Sequence, residues 1–170
     1  MAAKIQLKIT TPTGTKFSQE VDEFTAPSVS GEFGVLPAHR PLLAALKTGL
    51  ISYRIGNEET KVAVGPGFVK VENDEAEVLT ESFISKADVD PIVARRDLKV
   101  SEEELNKLNP QSDEQTIKSV IRTTRWAATC LELYGDPPPP MLVLAHEIRL
   151  LSEKANYRDF EGPEASDQAS

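Results

Sequence analysis

Lys4-Ile5-Gln6-Leu7-Lys8-Ile9-Thr10 alternates polar and apolar side chains along its length. A strand sends successive side chains to opposite faces. The period of two therefore predicts that Ile5, Leu7 and Ile9 enter a core while Lys4, Gln6 and Lys8 meet water. Pro12-Thr13-Gly14 marks a turn directly afterwards. Working outward, residues 17–24, 50–55, 61–64, 68–71 and 76–80 are further short extended candidates. Turn residues separate them at Gly56-Asn57-Glu58-Glu59, Gly65-Pro66-Gly67 and Glu72-Asn73-Asp74-Glu75. Many short strands with closely spaced turns predict an antiparallel β-sandwich or barrel.

The periodicity changes near Lys86. Asp90-Pro91 reads as a helix start, a capping carboxylate followed by proline at the first helical position. Ser101-Glu102-Glu103-Glu104 and Ser112-Asp113-Glu114-Gln115 read as capping boxes, so a break is expected at Val100-Ser101. Over residues 116–134, Ile117, Val120, Ile121, Thr124, Ala128 and Leu131 recur at helical spacing, and Gly135 is a natural stop. Pro137 to Pro140 form a stiff polyproline spacer of about 12 Å. Residues 141–157 are a further helix candidate, with Ala145, Ile148, Leu151 and Ala155 on one face. The expected organisation is a β-sandwich domain at 1–86, a helical domain at 87–160 (a hairpin with an extra terminal helix) and a disordered polar tail at 161–170.

Composition narrows the function. The formal net charge of -8 gives the chain none of the overall basic footprint typical of nucleic-acid binders. Cys130 is the one cysteine, so no intrachain disulfide can form. The N-terminus shows no apolar core of a secretory signal, and no run approaches the roughly 20 apolar residues that span a bilayer. Membrane association is expected only through partners.

The most specific segment is Ser30-Gly31-Glu32-Phe33-Gly34-Val35-Leu36-Pro37-Ala38-His39-Arg40-Pro41-Leu42-Leu43-Ala44-Ala45-Leu46-Lys47-Thr48-Gly49-Leu50-Ile51. Gly31 and Gly34 suggest tight backbone around an exposed Glu32. Pro37 and Pro41 restrain a loop that presents Glu32, His39 and Arg40 from a sheet edge, while Leu42, Leu43 and Leu46 tuck beneath it as core. Without further information, a loop that simply crosses between sheets is the plainer reading.

The segment resembles the signature of the F-type ATP synthase epsilon subunit, G-E-x-G-hydrophobic-x-P-x-H-x-P-L-L-x-x-L-x-x-G, and fills each of its fixed positions. The resemblance runs from about Ile5 to Asp90 and includes Val64-Gly65-Pro66-Gly67-Phe68-Val69-Lys70-Val71 and Val78-Leu79-Thr80. It implies a non-catalytic rotor protein; separately, the lack of ligand motifs leads to the expectation of no cofactor and no metal. Its β-sandwich would dock on the gamma subunit and on the polar loops of the c-ring, with Glu32, His39 and Arg40 in the region facing those partners. Its helices would transiently reach the alpha/beta catalytic head and inhibit ATP hydrolysis. The resemblance also implies a peripheral position on the cytoplasmic face of the bacterial inner membrane.

The second half matches that family poorly, having few alanines and an added proline spacer and helix. Some members bind ATP through I/L-D-x-x-R-A at the start of the first helix. Here the segment is Val89-Asp90-Pro91-Ile92-Val93-Ala94, with Val93 at the arginine position. Arg95 lies about 200° further around an ideal helix, so ATP binding through this motif is expected to be weak or absent. Lys118, Arg122 and Arg125 share one side of the long helix and could meet an acidic loop on the head; an ordinary solvated face is the plainer reading.

Other chemistry finds no support. There is no phosphate-binding G-x-x-x-x-G-K-[ST] loop. His39 and His146, the two histidines, lack Cys or His at zinc-ligand spacing. A β-sandwich adaptor unrelated to the synthase, or a small hydrolase using one histidine as base, are the competing classes.

Overall fold

The computed structural model describes residues 3–138. The last two prolines of the spacer, His146, the helix expected at 141–157 and the tail at 161–170 lie outside the described residues. The described chain forms β1 (Ile5–Thr11), β2 (Gly14–Val21), β3 (Glu23–Ser28), β4 (Gly31–Val35), β5 (Leu42–Leu46), β6 (Gly49–Ile55), β7 (Glu58–Val64), β8 (Gly67–Glu72), β9 (Glu75–Thr80) and β10 (Phe83–Ser85). A short 3-10 turn at Lys86–Asp88 then leads into α1 (Pro91–Lys107) and α2 (Glu114–Tyr134).

The strands make one hydrogen-bonded path, β10-β7-β6-β3-β5-β8-β9-β1-β2, with β4 paired beside β3. The path folds over where β3 meets β5, since only Ser28 and Leu46 pair there. Phe17 of β2 and Tyr53 of β6 approach across the opposite side, with ring centroids 4.7 Å apart. The result is a β-sandwich close to a closed barrel. Ile5, Leu7 and Ile9 are wholly buried, as the alternation predicted. They join Val21, Phe24, Ile51, Val69 and Val78 in the core.

Three expectations change. One strand pair, β1 with β9, is parallel; these strands are distant in sequence, so no tight turn dictates their direction. The candidate at 17–24 divides at Asp22, where the chain passes from one sheet to the other. The Asp22 carboxylate accepts the Gly56 amide at 2.6 Å and pairs with Lys4 at 3.4 Å, which fixes that crossing. The hydrogen bond from Gly56 and the Lys4 charge hold this carboxyl below its usual pKa. Finally, α1 runs unbroken through Val100-Ser101. Ser101 is 1% exposed, and its hydroxyl donates to the Leu98 carbonyl at 2.9 Å instead of capping a new helix.

Two of the remaining helix signals act where expected, and the cap of α2 shifts by one residue. Asp90 caps α1, accepting the Ile92 and Val93 amides. At α2 the cap is Asp113, which accepts the Thr116 amide at 3.0 Å, and not the neighbouring Ser112. Gly135 takes φ 108°, and the Gly135 and Asp136 amides close the helix onto the last-turn carbonyls. α1 packs antiparallel on α2, and α2 lies on the outer face of the sandwich, where Leu50, Ala63 and Ile84 meet Ala127, Cys130 and Leu131.

Gly67 shows how closely the sheet is built. A Cβ there would lie 1.9 Å from the Leu79 carbonyl oxygen and 2.8 Å from the Thr80 Cα, both backbone atoms that cannot swing aside. Gly67→Ala should therefore destabilise the domain by at least about 2 kcal/mol. Urea unfolding monitored by circular dichroism checks this, and a midpoint equal to wild type would refute it.

Candidate functional site

Strand geometry separates the residues that the signature segment brings together in sequence. Gly31 to Val35 pair along β3 from Ser28 to Phe24, so Glu32 sits beside the β3–β4 hairpin. His39 and Arg40 lie in the loop at the other end of β4. Leu36 is about 13 Å further along the strand from Glu32, at 3.3 Å per residue. The expected single loop is thus two separate positions at opposite ends of one strand. Glu32 and Arg40 are exposed, and His39 is half-buried.

Each end is held rigidly. At the first, Gly31 takes φ 123°, and the Ser28 hydroxyl donates to its carbonyl while accepting the Ser30 amide. Gly34 needs no such freedom; a Cβ there would meet only Thr25, at 3.8 Å. At the second end, the Asp74 carboxylate accepts the Ala38 amide at 2.6 Å, and the His39 amide donates to the Leu36 carbonyl at 3.1 Å. His39 Nδ1 donates to the Arg40 carbonyl at 2.7 Å, leaving the other ring nitrogen for a partner.

Leu43 does not enter the core. It is 73% exposed because β5 alternates, with Leu46 turned inward at 3%. Across the neighbouring strands Ala45 faces Phe68, and Phe68 faces Leu79. Phe68 is 58% and Leu79 50% exposed, so the outer face of β5, β8 and β9 carries an apolar patch that none of the described residues covers. Sequence reasoning missed this patch. Its signal was present in the alternation of β8 and β9, where Phe68 and Leu79 take the outward positions that polar residues normally hold.

The basic residues of α2 are already engaged. Lys118 pairs with Glu114 at 2.7 Å within the helix. Arg122 reaches Glu81 of the β-domain at 3.1 Å. Arg125, half-buried, also has a partner. The face is therefore partly a tie between helices and sandwich. Cys130 is buried beside it, and burial together with the Asp97 charge pushes its thiol up to about 11, so it is neutral and unreactive near pH 7.

Comparison with known proteins gives the family. A family model described as "ATP synthase, Delta/Epsilon chain, beta-sandwich domain" matches residues 4–86. The ATP synthase epsilon chain of Geotalea daltonii is 40% identical over 111 residues, 65% of this chain and 80% of that one. The chain belongs to the ATP synthase epsilon-chain family. The epsilon chain 2 of Syntrophotalea carbinolica is likewise 40% identical over 114 residues, covering 67% and 83% of the two chains. The fold recurs in a chain of the Euglena gracilis mitochondrial ATP synthase, with a TM-score of 0.59 at 18% identity over 79% of both chains. It recurs again in the Tetrahymena thermophila mitochondrial central stalk and c-ring structure, with a TM-score of 0.53 at 11% identity, covering 78% of this chain and 97% of that one.

The segment matching the family's nucleotide motif forms the N-terminus of α1 beside a small cavity. Asp88, Asp90, Asp97, Val93, Trp126 and Cys130 line it, and no lysine or arginine does. Arg95 instead grips Asp136 through Nε at 2.9 Å and Nη2 at 2.7 Å. An acidic wall opposes a triphosphate, so calorimetry should find no ATP affinity tighter than about 1 mM. A submillimolar dissociation constant would overturn this.

Proposed function

We propose that this chain is the epsilon subunit of a proton-translocating F-type ATP synthase, a non-catalytic central-stalk protein that helps couple c-ring rotation to ATP synthesis. The carrying observation is the 40% identity with epsilon chains across four-fifths of their length. An unrelated β-sandwich adaptor would not be expected to have such relatives.

In this reading residues 1–86 form the docking domain and residues 87–160 the regulatory one. The apolar patch of Leu43, Phe68 and Leu79 supports a protein partner, since exposed aromatic and aliphatic side chains on a flat sheet are what a non-polar interface buries. We assign that partner as gamma. Glu32 at one end of β4, and His39 with Arg40 at the other, then serve two different directions, one toward gamma and one toward the polar c-ring loops. Among the described residues no helix is long and apolar enough to cross a membrane. Attachment to the cytoplasmic face of the bacterial inner membrane would come through the complex.

Recovery of tagged chain from detergent-solubilised membranes should bring alpha, beta, gamma and c subunits with it. Phe68→Asp, an exposed change, should reduce gamma recovery at least about tenfold while leaving the fold intact. Recovery of the chain alone, from membranes whose synthase stays assembled, would return the adaptor reading.

The helices supply the regulatory part of the proposal. Lys118, Arg122 and Arg125 would contact the catalytic head once the hairpin lifts from β6 and β7. The Arg122–Glu81 pair, with both side chains more than half exposed, is worth under about 1 kcal/mol and would not prevent lifting. A Lys118→Ala, Arg122→Ala, Arg125→Ala variant should relieve inhibition of ATP hydrolysis in the reconstituted complex. Inhibition equal to wild type would remove the head contact from the proposal.

A further inference from the structure

The apolar patch of the sheet borders a groove of about 640 Å³. Strand pairing sets its walls. Thr10 lies beside Leu79, Leu79 faces Phe68 and Phe68 faces Ala45, one row across β1, β9, β8 and β5. Pro12 and Pro66 add further apolar surface. Among the described residues that line the groove, Glu81 is the one charged side chain. An apolar channel with a single carboxylate matches a long side chain that has a methylene stem and a cationic head. We propose that this groove receives one arginine side chain of the gamma subunit, and that its guanidinium takes Glu81 from Arg122 when gamma docks. The proposal rests on the assignment of this face to gamma.

Two further groups favour arginine over lysine. Phe68 is exposed and offers an aromatic face on which a planar guanidinium stacks. The Thr10 hydroxyl oxygen is buried and has no hydrogen-bond partner among the described residues. Leaving a buried polar atom unpaired is unfavourable. Thr10 lines the groove, so a guanidinium seated there has a second N–H for this oxygen once the threonine turns about χ1. Arginine carries five N–H donors in a fixed fork, enough to serve Glu81 and Thr10 together. The ammonium of lysine is a compact, strongly hydrated charge that does not stack.

The surrounding charges leave Glu81 as the carboxylate that an incoming cation meets. Glu77, one row away, lies between Lys8 and Lys70 on the neighbouring strands. Lys70 in turn pairs with Glu72 at 3.0 Å. Arg122 Nη1 donates to Glu81 Oε2 at 3.1 Å, but both side chains are more than half exposed, so water competes and the pair is weak. An arginine covered by gamma would meet Glu81 out of water, where the attraction is stronger. A second guanidinium at one carboxylate is repelled by the first, so the two contacts compete. Docking thus exchanges a tie between α2 and the sandwich for a tie between the sandwich and its partner.

The test has two arms, both on the full chain. Acetyl-arginine amide, titrated in and followed by nuclear magnetic resonance, should shift the signals of Thr10, Phe68, Leu79 and the Arg122 side chain. Those shifts should vanish in Glu81→Gln. Their absence in wild type, or their persistence in Glu81→Gln, overturns the proposal. The second arm measures the dissociation constant of purified gamma. Glu81→Gln should weaken binding about tenfold, since a hydrogen-bonded charge is lost. Arg122→Ala should tighten it about threefold, since the competitor is gone. A tie that serves stability alone would not move the two variants in opposite directions. Gamma that binds wild type and Glu81→Gln equally, or binds Arg122→Ala no better than wild type, overturns this proposal alone. Gamma that fails to bind wild type overturns the rotor assignment together with it.

Discussion

Removal of the inward side chains of one folded sheet from water governs the rest of this molecule. Ile5, Leu7 and Ile9 occupy β1, which lies between β9 and β2. Each fully buried aliphatic of this kind contributes roughly 1.5–3 kcal/mol. That burial holds β1 parallel to β9 though the two are distant in sequence. It also draws the sheet over at Ser28 and Leu46, so that the two halves share one core. With the inner face committed in this way, strand alternation forces Leu43, Phe68 and Leu79 outward. The apolar patch follows from the core by geometry.

The helices depend on the same sandwich less strongly. They rest on Leu50, Ala63 and Ile84, small and medium side chains on an outer face, with one exposed ion pair at the margin. Their mutual packing supplies separate clusters: Ala94 and Leu98 sit with Leu131 near the sheet, and Leu105 with Ile117 and Val120 at the far end. A hairpin with internal packing and a modest seat can keep its shape while changing its place. That property suits a regulatory element carried by a rigid docking domain.

Chemistry that is local was legible in the sequence. The period of two in β1, the Asp90 cap with Pro91 behind it and the Gly135 stop all took effect as their side chains dictate. The density of the signature segment placed the chain among epsilon subunits before any coordinate. Ser101 misled because a serine followed by glutamates offers the same hydrogen bonds to a helix start and to a helix interior. Burial against α2 chose the interior.

Sequence alone therefore determined the strand periodicity, the family, the start of α1 and the end of α2, because each rests on groups a few residues apart. Tertiary structure alone decided that Glu32 and His39 stand at opposite ends of β4, that Arg122 meets Glu81, and that three apolar side chains of β5, β8 and β9 form one surface. These depend on which strands become neighbours. That choice is made by burial of the whole core, which no short stretch of sequence contains.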